Sequence, residues 1–312
     1  MTNDELDIEP RTSNEESFIV EKEFKDTKFK IIIVDSPEKW SDANNLLFEQ
    51  SVDFSINRKM LFKFRGIPYS VWNYAMMNYK ILDDTEQNKE PNRVALLSRK
   101  IHLLEHATGV KFNGNTIDEK IANYEQKPIK FVDQLNSLIN DIVCGVSDGP
   151  LMLAYKKELE KAPSTIENFG SFDELDSINQ SEFELYIQRP FQNHILVFPI
   201  KAISNSEKQA IENQIPRPTP PLKPRRDSAG RIDYTSSPEP DINDPGYLAK
   251  LRIAAEKRIT LYLDACLPFN IPGNAFTEKS EWIGKKLVGD VHKLHRFIED
   301  NVINYTGGYS FF

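Results

Sequence analysis

A proline-rich stretch near the C-terminus is the feature that most constrains the fold of this 312-residue chain. Residues 216–245 hold eight of the 19 prolines and almost no apolar side chains. Proline lacks a backbone N–H and favours the polyproline II conformation, so such a stretch cannot build a hydrophobic core. We therefore predict a semi-rigid linker over 216–243, which separates an α+β body, residues 18–215, from a C-terminal part, residues 244–312.

Acidic side chains dominate the residues before that body. The first 17 residues carry six carboxylates, one arginine and few apolar groups, which predicts a disordered acidic tail over 1–17. The formal net charge of −8 and a pI of about 5.3 argue against a protein that coats nucleic acid. No apolar run reaches the roughly 18–20 residues that a membrane span requires. We expect a soluble, intracellular protein with no membrane or nucleic-acid partner.

The hydrophobic pattern of the body is typical of an α+β fold that is mostly helical. Short β-branched or alternating runs predict strands at 29–34, 61–65 and 195–200, each followed by a helix start. Residues 92–163 have the three-to-four spacing of successive helices, and a further helix is predicted around 172–186. The expected architecture is a set of strand–turn–helix units around a helical middle.

Two helices are predicted after the linker. Asp244 and Pro245 form a helix start, and a second helix begins near Thr277, so that the pair makes an antiparallel hairpin. A hairpin of about 50 residues is too small to be strongly stable alone. We expect it either to pack permanently on the body, or to fold back on the body when free and move onto a helical partner when one is present. The apolar candidates for partner binding are Leu248, Leu251, Ile259, Leu263, Trp282, Leu287, Val291 and Ile298.

Two nine-residue segments resemble each other. FKFRGIPYS at 62–70 and FPIKAISNS at 198–206 both have apolar positions, a base, a small residue, isoleucine and serine in the same order. Each predicts a strand, a tight turn and a helix start. Short matches arise by chance, so two independent strand–turn–helix corners are the expected interpretation, and an internal duplication is the alternative.

A possible metal motif lies in the helical middle. His102 and His106 flank Glu105 in the sequence HLLEH, which matches the H-x-x-E-H motif of inverzincin peptidases. In those enzymes the two histidines bind zinc while the glutamate polarises water, and Glu182 or Glu184 could supply a third ligand here.

Helical periodicity argues against that site. If Leu97, Ile101 and Leu104 form the buried stripe, both histidines of the motif point away from it into solvent. The chain also has no Walker A loop, no G-x-G-x-x-G and no G-x-S-x-G sequence. We therefore expect no catalytic residue, no metal and no cofactor.

One region resembles a known family. IPRPTPP at 215–221, a charged linker, and NDPGYL at 243–248 follow the strand–turn–helix segment 195–213. This order is similar to that of tail assembly chaperones of lambda-like long-tailed bacteriophages, where P-x-P-x-P-P is followed by a linker and a helix beginning D-P-x-Y. The resemblance covers 195–267 well and 61–79 loosely.

The resemblance implies a non-enzymatic role in the host cytoplasm. Such a chaperone binds the phage tape measure protein, keeps that long helical chain from aggregating and helps to recruit tail tube subunits. Two alternatives stay open: a minor structural protein that remains in the virion, and a zinc metallopeptidase that uses His102 and His106.

Overall fold

The computed structural model of this protein describes residues 19–24, 27–55, 58–82, 85–144, 182–189, 193–225 and 237–303. The protein has an α+β fold that is mostly helical, which confirms the fold class predicted above. The predicted acidic tail over 1–17 lies outside the described residues, as do the end of the predicted helical middle and the start of the helix predicted around 172–186.

Nine α-helices occur in the described part of the chain. They are α1 Pro37–Ala43, α2 Tyr69–Asn78, α3 Lys89–Thr108, α4 Ile117–Glu125, α5 Ile129–Cys144, α6 Asn205–Gln214, α7 Pro245–Cys266, α8 Phe276–Gly284 and α9 Val288–Ile298. A 3-10 turn at Glu86–Asn88 precedes α3, and a π turn at Glu299–Ile303 follows α9. None of the described helices is long and apolar enough to span a membrane.

The described strands form three small sheets. The strands are β1 Ile19–Phe24, β2 Thr27–Ile33, β3 Leu47–Ser55, β4 Arg58–Arg65, β5 Glu182–Gln188, β6 His194–Lys201, β7 Leu222–Lys223 and β8 Glu239–Pro240. The largest sheet has the order β1-β2-β6-β5, in which β2 and β6 are parallel. The antiparallel pairs β3–β4 and β7–β8 form the other two sheets.

Local sequence signals explain where several helices begin and end. Ser36 and Asp244 cap α1 and α7 with their side chains, and each is followed by proline in the first turn. Ser204 caps α6 and forms a capping box with Glu207. Gly109 ends α3 with a φ of 70°, a left-handed conformation that glycine adopts at low cost.

Two secondary-structure predictions were wrong. The helix expected around 172–186 is replaced at its end by β5, because β5 pairs along β6 and buries Ile187. The single helix expected from Thr277 is two helices, α8 and α9. It breaks before Leu287 because that residue forms a β-bridge with Pro68 at the start of α2.

The C-terminal helices share one hydrophobic core with the body. Trp40, Phe64 and Ile101 belong to the same cluster of buried side chains as Leu263 and Val291. Residues 244–303 therefore pack on the body in the free chain, as both alternatives drawn from the sequence expect. The linker does not divide the described chain into two cores, because helices on both sides of it bury their apolar faces against each other.

The described parts of the proline-rich stretch are mostly exposed. Its two ends meet in the short β7–β8 pair, which the sequence did not predict. Lys223 lies 3.8 Å from a carboxylate oxygen of Glu239 and 3.6 Å from one of Asp241. The described residues on the two sides of this stretch are therefore held next to each other by the β7–β8 pair and by these ion pairs.

The two similar segments belong to equivalent structural units. Strands β4 and β6 are both eight residues long, and helices α2 and α6, which follow them, are both ten residues long. The alignment of Phe62 with Phe198 places each strand end and each helix start in register. Strands β3 and β5 are the antiparallel neighbours of β4 and β6.

The long helices of the two units, α3 and α7, each end at a carboxylate that accepts hydrogen bonds from one backbone amide and one lysine. We call this arrangement a carboxylate clamp. At the end of α3, the Glu105 carboxylate accepts hydrogen bonds from the Phe112 amide and from Lys120 Nζ, both at 2.9 Å. At the end of α7, Asp264 accepts from the Ile271 amide at 3.0 Å and from Lys279 Nζ at 2.6 Å. The amide donor is seven residues beyond the carboxylate in both clamps.

The turn after each clamp also repeats. Gly114 and Gly273 have φ values of 133° and 121°, and each lies against the glutamate five residues later. Those glutamates, Glu119 and Glu278, accept backbone N–H groups at the start of α4 and α8.

An arginine on each long helix caps the preceding short helix in both units. Arg99 donates to the Tyr79 carbonyl at 2.7 Å, and Arg258 donates to the Ile215 carbonyl at 2.8 Å. The chain therefore contains an internal duplication, and the interpretation as two independent corners was wrong. We call residues 47–144 the first half and residues 182–298 the second half.

The proline-rich stretch has a clear place in this duplication. It lies between α6 and α7, where the first half has only the short connection from α2 to α3. Residues 19–46, which form β1, β2 and α1, precede both halves, and we call them the N-terminal segment.

Candidate functional site

The histidines of the HLLEH motif are half-buried on α3. The prediction that they point into solvent was wrong, because α2 packs against this side of α3 and brings the Tyr74 ring to 5.2 Å from the His102 ring. Burial lowers the pKa of both imidazoles, His102 and His106, so their neutral forms are favoured.

Glu105, the acidic residue of the motif, has a structural role. Burial alone would raise the pKa of Glu105, but its hydrogen bonds with Lys120 and with the Phe112 amide, together with Lys111 at 3.6 Å, lower it. The nominated third ligands, Glu182 and Glu184, lie on β5. No group of three or more potential metal ligands occurs among the residues that the structure describes.

The candidate partner-binding face of the C-terminal helices is mostly internal. Five of its eight residues are buried in the common core: Ile259, Leu263, Leu287, Val291 and Ile298. Leu251 and Trp282 are half-buried, and Leu248 is exposed. In the free chain these stripes pack against the body, and the displacement of this packing by a partner stays a prediction.

A groove in the second half is filled by the N-terminal segment. Trp40 on α1 is fully buried there, with its ring centre 5.3 Å from that of Phe198 and 5.4 Å from that of Trp282. Its indole N–H donates to the Asp290 carboxylate at 3.2 Å. Such edge-to-face contacts combine a large buried area with a fixed orientation.

Charged groups hold this indole in place. Arg189 and Asp290 form a buried bidentate ion pair with N–O distances of 2.5 and 2.8 Å, and Arg189 also donates to the Ala43 carbonyl. Lys286 Nζ lies 3.6 Å from the centre of the Trp282 ring and donates to Ser41. Burial lowers the pKa of Lys286 to about 8.

Strand pairing completes the contact with the N-terminal segment. Strand β2 runs parallel to β6, from Lys30 beside His194 to Ile33 beside Val197. The Val34 amide donates to the Val197 carbonyl at 2.8 Å. The second half is therefore closed by a strand, a turn and a helix that all come from outside it.

Among the residues that the structure describes, none fills the equivalent groove of the first half. Four residues of the filled groove lie around Trp40: Phe198, Trp282, Lys286 and Asp290. Their counterparts at the same positions of the duplication are, in the same order, Phe62, Asn123, Lys127 and Phe131. All four line a cavity of about 850 Å³ between β4 and helices α3 to α5. We call this cavity the first-half groove.

Phenylalanines form the floor of the first-half groove. The Phe131 ring lies 5.3 Å from the Phe54 ring and 6.0 Å from the Phe62 ring, measured between centres. At its edge, Leu61 is 66% exposed, whereas its counterpart Val197 is 4% exposed beneath the N-terminal segment. The same position is thus surface in one half and core in the other.

Basic side chains surround this apolar floor. The lining includes five of them: Arg58, Lys59, Lys63, Lys111 and Lys127. None of the described lining residues is acidic, although the chain as a whole carries a net charge of −8. Three of the lysines have carboxylate neighbours outside the lining. The groove combines an apolar interior with a positive rim.

Sequence reasoning missed this groove. The match between residues 62–70 and 198–206 was the available signal, but it aligns Phe131 with Asp290 only when the proline-rich stretch is treated as an insertion in the second half. No family model, characterised protein or solved structure matches this chain.

Proposed function

We propose that this protein binds a segment of another protein without performing catalysis. By its resemblance to the phage family, it is a tail assembly chaperone in the host cytoplasm. Its client is the tape measure protein, and it helps to recruit tail tube subunits. The observation that carries the proposal is the open first-half groove, whose apolar floor lies within a basic rim and beside an edge of β4 that no strand of the described chain pairs with.

The chemistry of the groove suits a protein client. Exposed strand edges bind extended peptides through main-chain hydrogen bonds, and neighbouring apolar pockets select side chains. Positive charge around the pocket accelerates encounter with acidic segments and disfavours basic ones. A chaperone that must hold one region of a long chain and later release it requires this kind of limited, partly electrostatic contact.

Co-expression tests the chaperone role. The full chain is produced together with the tape measure protein of the same phage, and soluble tape measure protein is quantified after centrifugation. We expect a clear increase over the tape measure protein expressed alone, and co-purification of the two. An equal amount in both cases would contradict the proposal.

Purified virions provide the second measurement. A chaperone is absent from the finished particle, so mass spectrometry of virions should detect tail proteins but not this chain. Its presence at stoichiometric levels would instead assign it as a minor structural virion protein.

A further inference from the structure

We propose that the first-half groove binds an acidic strand–turn–helix segment of another protein. Its strand adds in parallel to the open edge of β4, and a phenylalanine or leucine on its first helical turn enters the cavity. The inference rests on the proposed function only in identifying this other protein as the chaperone's client. The binding geometry itself follows from the duplication.

The second half provides the template for this geometry. There the N-terminal segment adds β2 to the edge of β6, turns at Asp35 and Ser36, and inserts Trp40 from α1 into the groove. Because the two halves share the same elements in the same register, an equivalent segment would meet β4 and the cavity together.

The edge of β4 is available for such a strand. In the second half, the Val197 carbonyl accepts from the amide of Val34, the residue after β2, and Leu61 is the counterpart of Val197. Within the described chain, β4 pairs with β3 alone. The Gly66 amide donates to the Leu46 carbonyl, so Gly66 belongs to a hydrogen-bonded pair of the β3–β4 ladder. Hydrogen-bonded and non-hydrogen-bonded pairs alternate along such a ladder, so the backbone N–H and C=O of Leu61, five residues earlier, point away from β3 to the open side.

The floor determines which anchor side chain fits. In the second half, Asp290 accepts the indole N–H of Trp40, whereas the first half has Phe131 at this position. A buried tryptophan or tyrosine would lose this hydrogen-bond partner, and an unsatisfied buried donor is unfavourable by about 1–3 kcal/mol. An anchor without a polar atom, such as phenylalanine or leucine, therefore suits the first half.

The rim determines the charge of the segment. In the template, Lys30 of the added strand pairs with His194, and the counterpart of His194 is Arg58. A lysine at this register would lie beside Arg58 and be repelled by it, whereas a glutamate would be attracted to it. The occupant is therefore acidic along its strand.

The chain's own N-terminal segment is a poor occupant. It is already docked in the second half, where Trp40 is 0% exposed and bonded to Asp290. A second copy could supply this segment only by uncovering its own core. A segment of another protein carries no such penalty, so we commit to that occupant.

A designed peptide tests the proposal on the full chain. The probe is a fluorescent peptide with the sequence of residues 27–46, carrying Lys28→Glu, Lys30→Glu and Trp40→Phe, and its anisotropy is followed on titration. We expect saturable binding that is roughly tenfold tighter than that of the unchanged peptide and that weakens as salt is added. No saturable binding up to about 1 mM would overturn the proposal.

Two matched variants locate the site. Leu61→Glu places a carboxylate at the open edge and should weaken binding of the acidic peptide roughly tenfold or more. Leu47→Glu is the control, since Leu47 is 62% exposed on the neighbouring strand but does not line the groove. Equal binding by both variants would overturn the proposal.

Other occupants have their own signatures. If the chain alone is a dimer and Leu61→Glu makes it monomeric, a second copy occupies the groove and the proposal is wrong. The tape measure protein is absent from the peptide assay. Peptide binding without chaperone activity would thus contradict the proposed function but support the groove as a binding site. Chaperone activity without peptide binding would contradict the groove as the binding site.

Discussion

The two halves of this protein share one scaffold but use it differently. In the second half, the groove is filled by Trp40 and closed by β2, so its walls belong to the core. In the first half, the equivalent walls surround an open cavity, with Leu61 on the surface. The comparison teaches that a docking site can be recognised from a second copy of the same site that the chain itself has filled.

The buried ion pair of the filled groove should show the largest effect. Asp290→Ala removes the acidic partner of the buried Arg189, which keeps only its hydrogen bond to the Ala43 carbonyl, and it removes the acceptor of the Trp40 indole. We expect a loss of about 3–5 kcal/mol in the free energy of unfolding, measured by urea denaturation.

An apolar replacement of both partners serves as the control. Arg189→Met combined with Asp290→Leu removes both charges together, and it should be more stable than Asp290→Ala alone. A loss below about 1 kcal/mol for Asp290→Ala would mean that the filled groove is not integral to the core.

The carboxylate clamps provide a test of the duplication itself. Glu105→Ala and Asp264→Ala each remove the acceptor of one backbone amide and one lysine. We expect losses of about 1–3 kcal/mol for each variant in urea denaturation, because equivalent donors are left unsatisfied. A substantial loss in one half with none in the other would show that the clamps are not equivalent.

Acidification should weaken both halves more modestly. The pKa of each of the five histidines is lowered, with burial as the main cause. The unfolded chain therefore takes up protons first, and stability that is complete above about pH 6.5 is lost as the pH falls below it. Urea denaturation at pH 7.5 and 5.5 should show this decrease.

Histidine replacement separates this effect from that of the carboxylates. His292 belongs to the second half and its ring lies next to Trp72, and His102 belongs to the first half and its ring lies next to Tyr74. Replacing either by glutamine should reduce the loss of stability between pH 7.5 and pH 5.5. An unchanged pH dependence in both variants would contradict the assigned cause.

The smallest effect is expected from removing metal ions. Because Lys120 and the Phe112 amide hold the Glu105 carboxylate, EDTA should leave the melting temperature unchanged. Replacing both His102 and His106 by alanine should lower stability by about 1 kcal/mol, because their rings are half-buried. A large loss on chelation would revive the zinc peptidase interpretation.

Local features of the fold could be predicted from the sequence, whereas long-range features could not. The helix starts at Ser204 and Asp244 depend on residues within one helical turn, so the local sequence predicts them. The break before Leu287 depends on pairing with Pro68, which is distant in the sequence. The linker was recognised by its composition, but composition does not show that both of its flanks enter one core.

The candidate site was missed for a related reason. Periodicity identifies the buried face of α7 and α9, but it does not show whether the body or a partner covers that face. The groove depends on four residues that are distant in the sequence: one each on β4, α4 and α5, and Lys127 just before α5. Only the alignment with the filled half relates them.

Amide hydrogen exchange tests the central comparison most directly. The amides of Ile195 and Val197 face β2, whereas those of their counterparts, Lys59 and Leu61, face the open edge. We predict slow exchange for the first pair, fast exchange for the second pair, and protection of the second pair when the acidic peptide is added. Equally slow exchange of all four amides without the peptide would contradict an open first-half groove.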